Sequence, residues 1–179
     1  MRRYTLWSDN SYLKGFFRLL VAIDGSESSM KAADLAITML RDKDQGSNTE
    51  LIVLHIIHSE IKDVYFTYSN IFTPGSIDQN AIIEDAKKDA QKWFDKVQVN
   101  ANKNDVRLRR EIIVNSRSIV GAIVDYAEQE KVDLIVIGSR GLSGFKKLLL
   151  GSVASGVVTY SHCPVLVVKK EVADTASFS

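Results

Sequence analysis

The segment Lys131–Tyr160, KVDLIVIGSRGLSGFKKLLLGSVASGVVTY, decides how this chain is read. Leu134–Ile137 is an uninterrupted apolar run of strand length. Ala154, Val157 and Val158 then recur at helical spacing, and Pro164 stops that helix. The stretch between them, Gly138 to Gly151, holds four glycines and three cations. A uniformly apolar strand is one covered on both faces, as in parallel sheets.

Four further runs have the same character. They are RLLVAI at Arg18–Ile23, LIVLHII at Leu51–Ile57, LRREIIV at Leu108–Val114 and VLVV at Val165–Val168. Helical stripes lie between them. One is Ala33, Ala36, Ile37 and Leu40; the next is Ile82, Ala86, Ala90, Trp93 and Val97; a third is Val120, Ile123, Val124 and Ala127. Ser76 and Gln79 have capping-box spacing ahead of the second stripe. Strands and helices alternate throughout, which predicts an α/β fold, a doubly wound three-layer sandwich. The longest irregular stretch runs from Ser59 to Ser76, and its aromatics Tyr65, Phe66, Tyr68 and Phe72 read as local packing rather than a pocket cover.

Composition bounds the function. The chain has 179 residues, 45% hydrophobic and 25% charged, as expected of one globular domain. That domain is placed at residues 17–170, with an N-terminal extension at 1–16 and a tail at 171–179. The 23 basic residues are nearly balanced by 22 acidic ones, which argues against a nucleic-acid partner. The clusters Arg107/Arg109/Arg110 and Lys169/Lys170 read as solvated faces. A single cysteine, Cys163, excludes an intramolecular disulfide and fits a cytoplasmic home. Cys163 itself reads as a small buried filler. No apolar run approaches the ~18 residues of a membrane span. The early run FFRLLVAI contains Arg18 and ends at Asp24, a poor secretory signal. His55 and His58 point to opposite faces of an extended strand and His162 is distant, so no metal set forms.

Ligands of doubly wound folds sit beyond the carboxyl ends of strands, where the strand order reverses. Two strand ends carry suitable residues: Asp24 after the first strand and Gly138 after the fourth. A phosphate needs convergent donors, and backbone N–H groups supply them where glycine removes the obstructing side chain. A helix start adds unpaired N–H groups and a positive dipole end. The loop offers both in the spacing Gly138-x2-Gly141-x9-Gly151-Ser152. It is neither a P-loop, since no Lys-Ser/Thr pair follows a glycine, nor a Rossmann fingerprint, which belongs after the first strand. The alternative reading is a plain crossover with glycines at its turns. Its length stands against that, because such connections usually run only ~2–6 residues.

These residues resemble a known family. VDLIVIGSRGLSGFKKLLLGSVASGVVTYSHCPVLVVK (Val132–Lys169) is similar to the carboxyl half of a universal stress protein. LLVAIDGSESSMKAADLAI resembles that family's opening strand and helix, and LIVLHII its second strand. The glycine spacing is that of its ATP-binding branch. The resemblance implies a five-stranded parallel sheet in the order 3-2-1-4-5, of the adenine nucleotide alpha hydrolase-like type. Asp24 and Gly138 would then flank the switch point. It further implies that Gly138, Gly141, Gly151 and Ser152 hold ribose and phosphates. Asp24 would lie beside the nucleotide and reach a Mg²⁺ through water. Ala22, Ile56 and Ile137 would wall the adenine, and Val153 would open the phosphate-facing helix. Ser139 and Arg140 fill variable positions of the same loop, where Arg140 either pairs with a phosphate or is solvated. Lys146 and Lys147 would favour a polyphosphate, or stand in solvent.

The function so implied is a regulatory, stress-response module that binds ATP, or AMP or ADP, and signals to an unidentified protein partner. One alternative is a slow ATPase, for which Asp24 and Ser152 are the only candidate groups and no base–nucleophile pair is visible. The other is a dimeric scaffold that binds no nucleotide. Family members also imply a homodimer through the edge strand CPVLVVKK, with Lys169 and Lys170 limiting further growth of that edge.

Overall fold

The structure, a computed structural model, describes residues 18–41, 49–58, 79–115, 118–142 and 150–169. The extension, the tail, Ser76, the aromatics from Tyr65 to Phe72, Lys146 and Lys147 lie outside the described residues.

The chain runs β1 (Arg18–Ala22), α1 (Glu27–Arg41), β2 (Glu50–His58), α2 (Gln79–Lys103), β3 (Leu108–Asn115), α3 (Ile119–Gln129), β4 (Leu134–Gly138), α4 (Ser152–Tyr160), β5 (Val165–Val168). The five strands form one parallel sheet in the order β3-β2-β1-β4-β5. This is the order the family resemblance implied. β1 is paired on both sides, Ala22 matching Leu54 of β2 and Ile137 of β4.

Alternation along the strands divides the core in two. Leu19, Val21, Leu51, Val53, Leu134 and Val136 face α1 and α2, against Ala32, Ala36, Phe94 and Val97. Leu20, Ile52, Leu54, Ile56, Ile135 and Ile137 face α3 and α4, against Ala122, Ile123, Ala154 and Val157. Apolar side chains on both faces explain why these strands read as continuous runs rather than as alternating ones. The outer strands differ: β5 is half-buried throughout, and β3 is half-buried except at the exposed Val114. Cys163 is likewise half-buried, at the fringe of the α3/α4-side core.

Helix ends follow local chemistry. Ser118 caps α3 by accepting the Gly121 N–H at 3.1 Å, a cap the sequence patterns did not flag. At the amino ends of β1, β2 and β3 an ion network ties Arg18 to Glu50 (3.3 Å) and Arg109 to Glu130 (2.5 Å). That end lies opposite the loops where the sequence concentrated its glycines. No described helix is long and apolar enough to cross a membrane.

Candidate functional site

The chain leaves the sheet after Ala22, one residue before the apolar run ends. Ile23 still donates its N–H to Leu54 O at 2.9 Å. Asp24 then turns the backbone: its Oδ1 accepts the Ser26 N–H at 3.0 Å. Its Oδ2 accepts the Leu142 N–H at 3.2 Å, so one carboxylate joins the loop after β1 to the loop after β4. Gly25 takes the left-handed conformation, φ +79°, with the Trp93 indole against it. Trp93 in turn meets the His55 ring edge-on, with centroids 5.2 Å apart, and His55 Nδ1 lies 2.8 Å from Ile23 O.

The β4 side is held from α1. A Cβ on Gly138 would lie 2.7 Å from the Ser28 carbonyl carbon and the Ser29 nitrogen, so only glycine lets the first turn of α1 rest on the end of β4. From that position the Ser28 and Ser26 hydroxyls both donate to the Arg140 carbonyl oxygen. Ser139 is buried; its N–H donates to Val168 O at 2.8 Å, and its carbonyl accepts the Gly151 N–H at 2.7 Å. Gly151 is the N-cap of α4 and supplies no side-chain cap. Among the described residues no side chain caps the first N–H groups of that helix, which suits them to solvent or a ligand.

Between these loops lies a cleft of about 160 Å³ at the carboxyl ends of β1, β2 and β4. Ala22, Ile56 and Ile137 contribute apolar wall to it. Asp24, Gly138, Arg140, Gly141, Gly151, Ser152 and Val153 line the same cleft. Ser139 is not among the lining residues, because its backbone groups are committed to β5 and to the start of α4. The donor set is narrower than a wholly bare loop. Ser139, Leu142 and Gly151 spend their N–H groups inside the protein, whereas Gly141 N–H has no acceptor among the described residues. The positive end of α4 completes the rim.

Sequence patterns missed part of the wall. Ile119 and Ile123 reach the cleft from α3, and Leu54 from β2. A helix that follows an outer strand begins at the carboxyl end of the sheet, so its first turn faces the switch-point crevice. That rule would have drawn attention to Ile119. Among the described residues, no three His, Cys, Asp or Glu side chains are placed to hold a metal.

A family model described as the universal stress protein family matches residues 15–169. The chain belongs to the universal stress protein family. Universal stress protein YxiE of Bacillus subtilis is 34% identical over 155 residues, which covers 86% of this chain and 99% of that relative. Among solved structures, that of the hypothetical protein MJ0577 superposes with a TM-score of 0.68 at 25% identity, covering 88% of this universal stress protein and 99% of that chain. A universal stress protein solved in complex with cAMP has a TM-score of 0.58 at 24% identity, covering 87% of this chain and 98% of its own. Two further neighbours were solved with dAMP and with AMP bound.

Proposed function

We propose that this universal stress protein binds an adenine nucleotide, ATP foremost with AMP and ADP as alternatives, in the cleft at the ends of β1, β2 and β4. Nucleotide occupancy would serve as a regulatory signal to a protein partner in the cytoplasm. The observation that carries this reading is a juxtaposition. An apolar slot of Ala22, Ile56 and Ile137 sits beside the unbonded Gly141 N–H and the uncapped start of α4. A flat aromatic base suits the slot, and a phosphate suits converging N–H groups at a helix start. The bound cAMP, dAMP and AMP of structural neighbours support the same class of ligand.

A Mg²⁺ would travel with the phosphates, since no described side-chain cluster offers it a cage. Both Asp24 oxygens already accept a backbone N–H, and each keeps a lone pair for a water of the metal's shell. Asp24 fits that outer role.

Turnover is a weaker reading. Ser152 lines the cleft, but among the described residues no base pairs with its hydroxyl, and Asp24 is committed to amides. Pairing of two copies along β5 is favoured by its apolar, half-buried edge, which among the described residues pairs with no strand but β4. Light scattering of the purified protein distinguishes a dimer from a monomer.

The deciding experiment is to denature the purified protein, chromatograph the released small molecules, and titrate the emptied protein with ATP, ADP, AMP and adenosine by calorimetry. Near-equimolar adenine nucleotide, or saturable uptake of one, is expected. Neither would leave the nucleotide-free scaffold standing. ADP accumulating from ATP, and lost in Asp24→Ala or Ser152→Ala, would make the protein a slow ATPase.

A further inference from the structure

We infer that Ser28, the second residue of α1, is a positioning residue for the phosphate seat: it holds the Arg140–Gly141 peptide so that the Gly141 N–H faces the cleft. The inference rests on the nucleotide reading above. Ser28 is buried at 5% exposure, and its hydroxyl donates to the Arg140 carbonyl oxygen. The Ser26 hydroxyl reaches the same oxygen at 3.3 Å. Among the described residues no peptide is cis, and in a trans peptide the C=O and N–H point in opposite directions. An oxygen drawn toward α1 therefore turns the Gly141 N–H away from α1.

The other side is where α4 begins. A Cβ on Gly151 would lie 3.9 Å from the Gly141 nitrogen and 3.5 Å from Arg140 Cα, so the missing side chain keeps the space before that donor open. The amides nearest to it in the loop are satisfied, Ser139 by Val168 O and Leu142 by Asp24 Oδ2, while that of Gly141 is not. Gly141 is exposed, so its N–H is open to water or to a ligand. Gly138 enables the arrangement. A Cβ there would lie 2.8 Å from Ser28 Oγ, so its absence brings the hydroxyl within reach of Arg140. The loop has a second tether in Asp24, so loss of the Ser28 hydroxyl should free one peptide plane rather than release the whole loop.

The ligand group concerned is the phosphate next to the ribose. Ser28→Ala should weaken AMP binding about tenfold, the scale of one hydrogen bond to a charged group. Adenosine, which carries no phosphate, should lose less than about twofold. The test is a titration of ¹⁵N-labelled full-length protein and its Ser28→Ala variant with AMP and with adenosine. In the parent protein the Gly141 amide resonance should move with AMP and stay with adenosine. Equal losses for both ligands would make Ser28 merely structural. Unchanged AMP affinity, or a Gly141 resonance indifferent to AMP, would overturn the positioning role alone. A parent protein that binds neither compound overturns the nucleotide reading, and the positioning role with it. Should Ser28→Ala fail to fold, Ser28→Cys, close in size and a poor donor, supplies the same comparison.

Discussion

Asp24 and Gly141 stand in contact across two different crossovers: a methyl group on Gly141 would lie 2.7 Å from Asp24 Oδ2. The carboxylate cannot easily yield, because Ser26 and Leu142 both donate to it. Glycine at 141 is thus demanded by the acid as well as by any ligand. Gly141→Ala should displace the carboxylate, release the Leu142 N–H and weaken ATP binding about tenfold or more, with a stability loss of about 1–2 kcal/mol. Gly141→Val should do both more strongly while keeping the fold. Calorimetry and urea unfolding check the two effects separately. An unchanged ATP affinity in Gly141→Val would mean that the phosphates lie elsewhere.

Gly25 is constrained twice over. Its φ of +79° disfavours any side chain, and a Cβ would run into the Trp93 indole at Cε2. Gly25→Ala should cost about 2–4 kcal/mol, combining backbone strain with overpacking. Adding Trp93→Ala should recover little, because it relieves the clash, leaves the strain and opens a cavity of its own. Urea midpoints of the single and double variants decide this.

The packing of α3 on α4 turns on one missing methyl. A Cβ on Gly156 would lie 2.7 Å from Val120 Cγ2. Gly156→Ala alone should destabilise by about 1–3 kcal/mol despite the better helix propensity of alanine. In a Val120→Ala background the same change should be neutral or favourable. A double-mutant cycle with no coupling between these two positions would contradict the contact.

At the far end of the sheet, burial pushes the Tyr126 hydroxyl up to about 12, and the Glu111 carboxylate adds to it. The unfolded chain ionises this phenol near its ordinary value of about 10. Between those values the unfolded state has lost a proton that the native state keeps, so stability should fall as pH rises from about 10 toward 12. Tyr126→Phe should remove its share of that decline. The hydroxyl has no hydrogen-bond partner among the described residues, so the substitution should leave stability at pH 7 within about 0.5 kcal/mol or raise it. Urea unfolding at pH 7, 9 and 11 tests both statements.

Much of the fold was legible in short-range patterns. Leu19–Val21 and Leu134–Ile137 are apolar on both faces because helices cover both, and that signature survives in one dimension. Ala33, Ala36, Ile37 and Leu40 marked the buried stripe of α1 for the same reason. The strand order and the roles along the cleft rim came from the family resemblance. What escaped were relations between distant positions. Nothing in the spacing of Gly25 and Trp93 foretells that they touch. Ser28 reads as an ordinary residue of a helix start until Gly138 is seen to bring β4 beneath it. Ser139 looks like one more polar loop residue, yet its peptide groups knit two elements together. Ile119 escaped because the helical stripe was drawn from the residues beneath α3, whereas its first turn overhangs the cleft.

That knitting has a mechanical corollary. Ser139 grips Gly151 with its carbonyl and Val168 with its N–H. The tip of α4 and the outermost strand are consequently wired in series through a single residue. A guest that tugs on the helix tip must either drag the last residue of β5 along or snap one of two short bonds, at 2.7 and 2.8 Å.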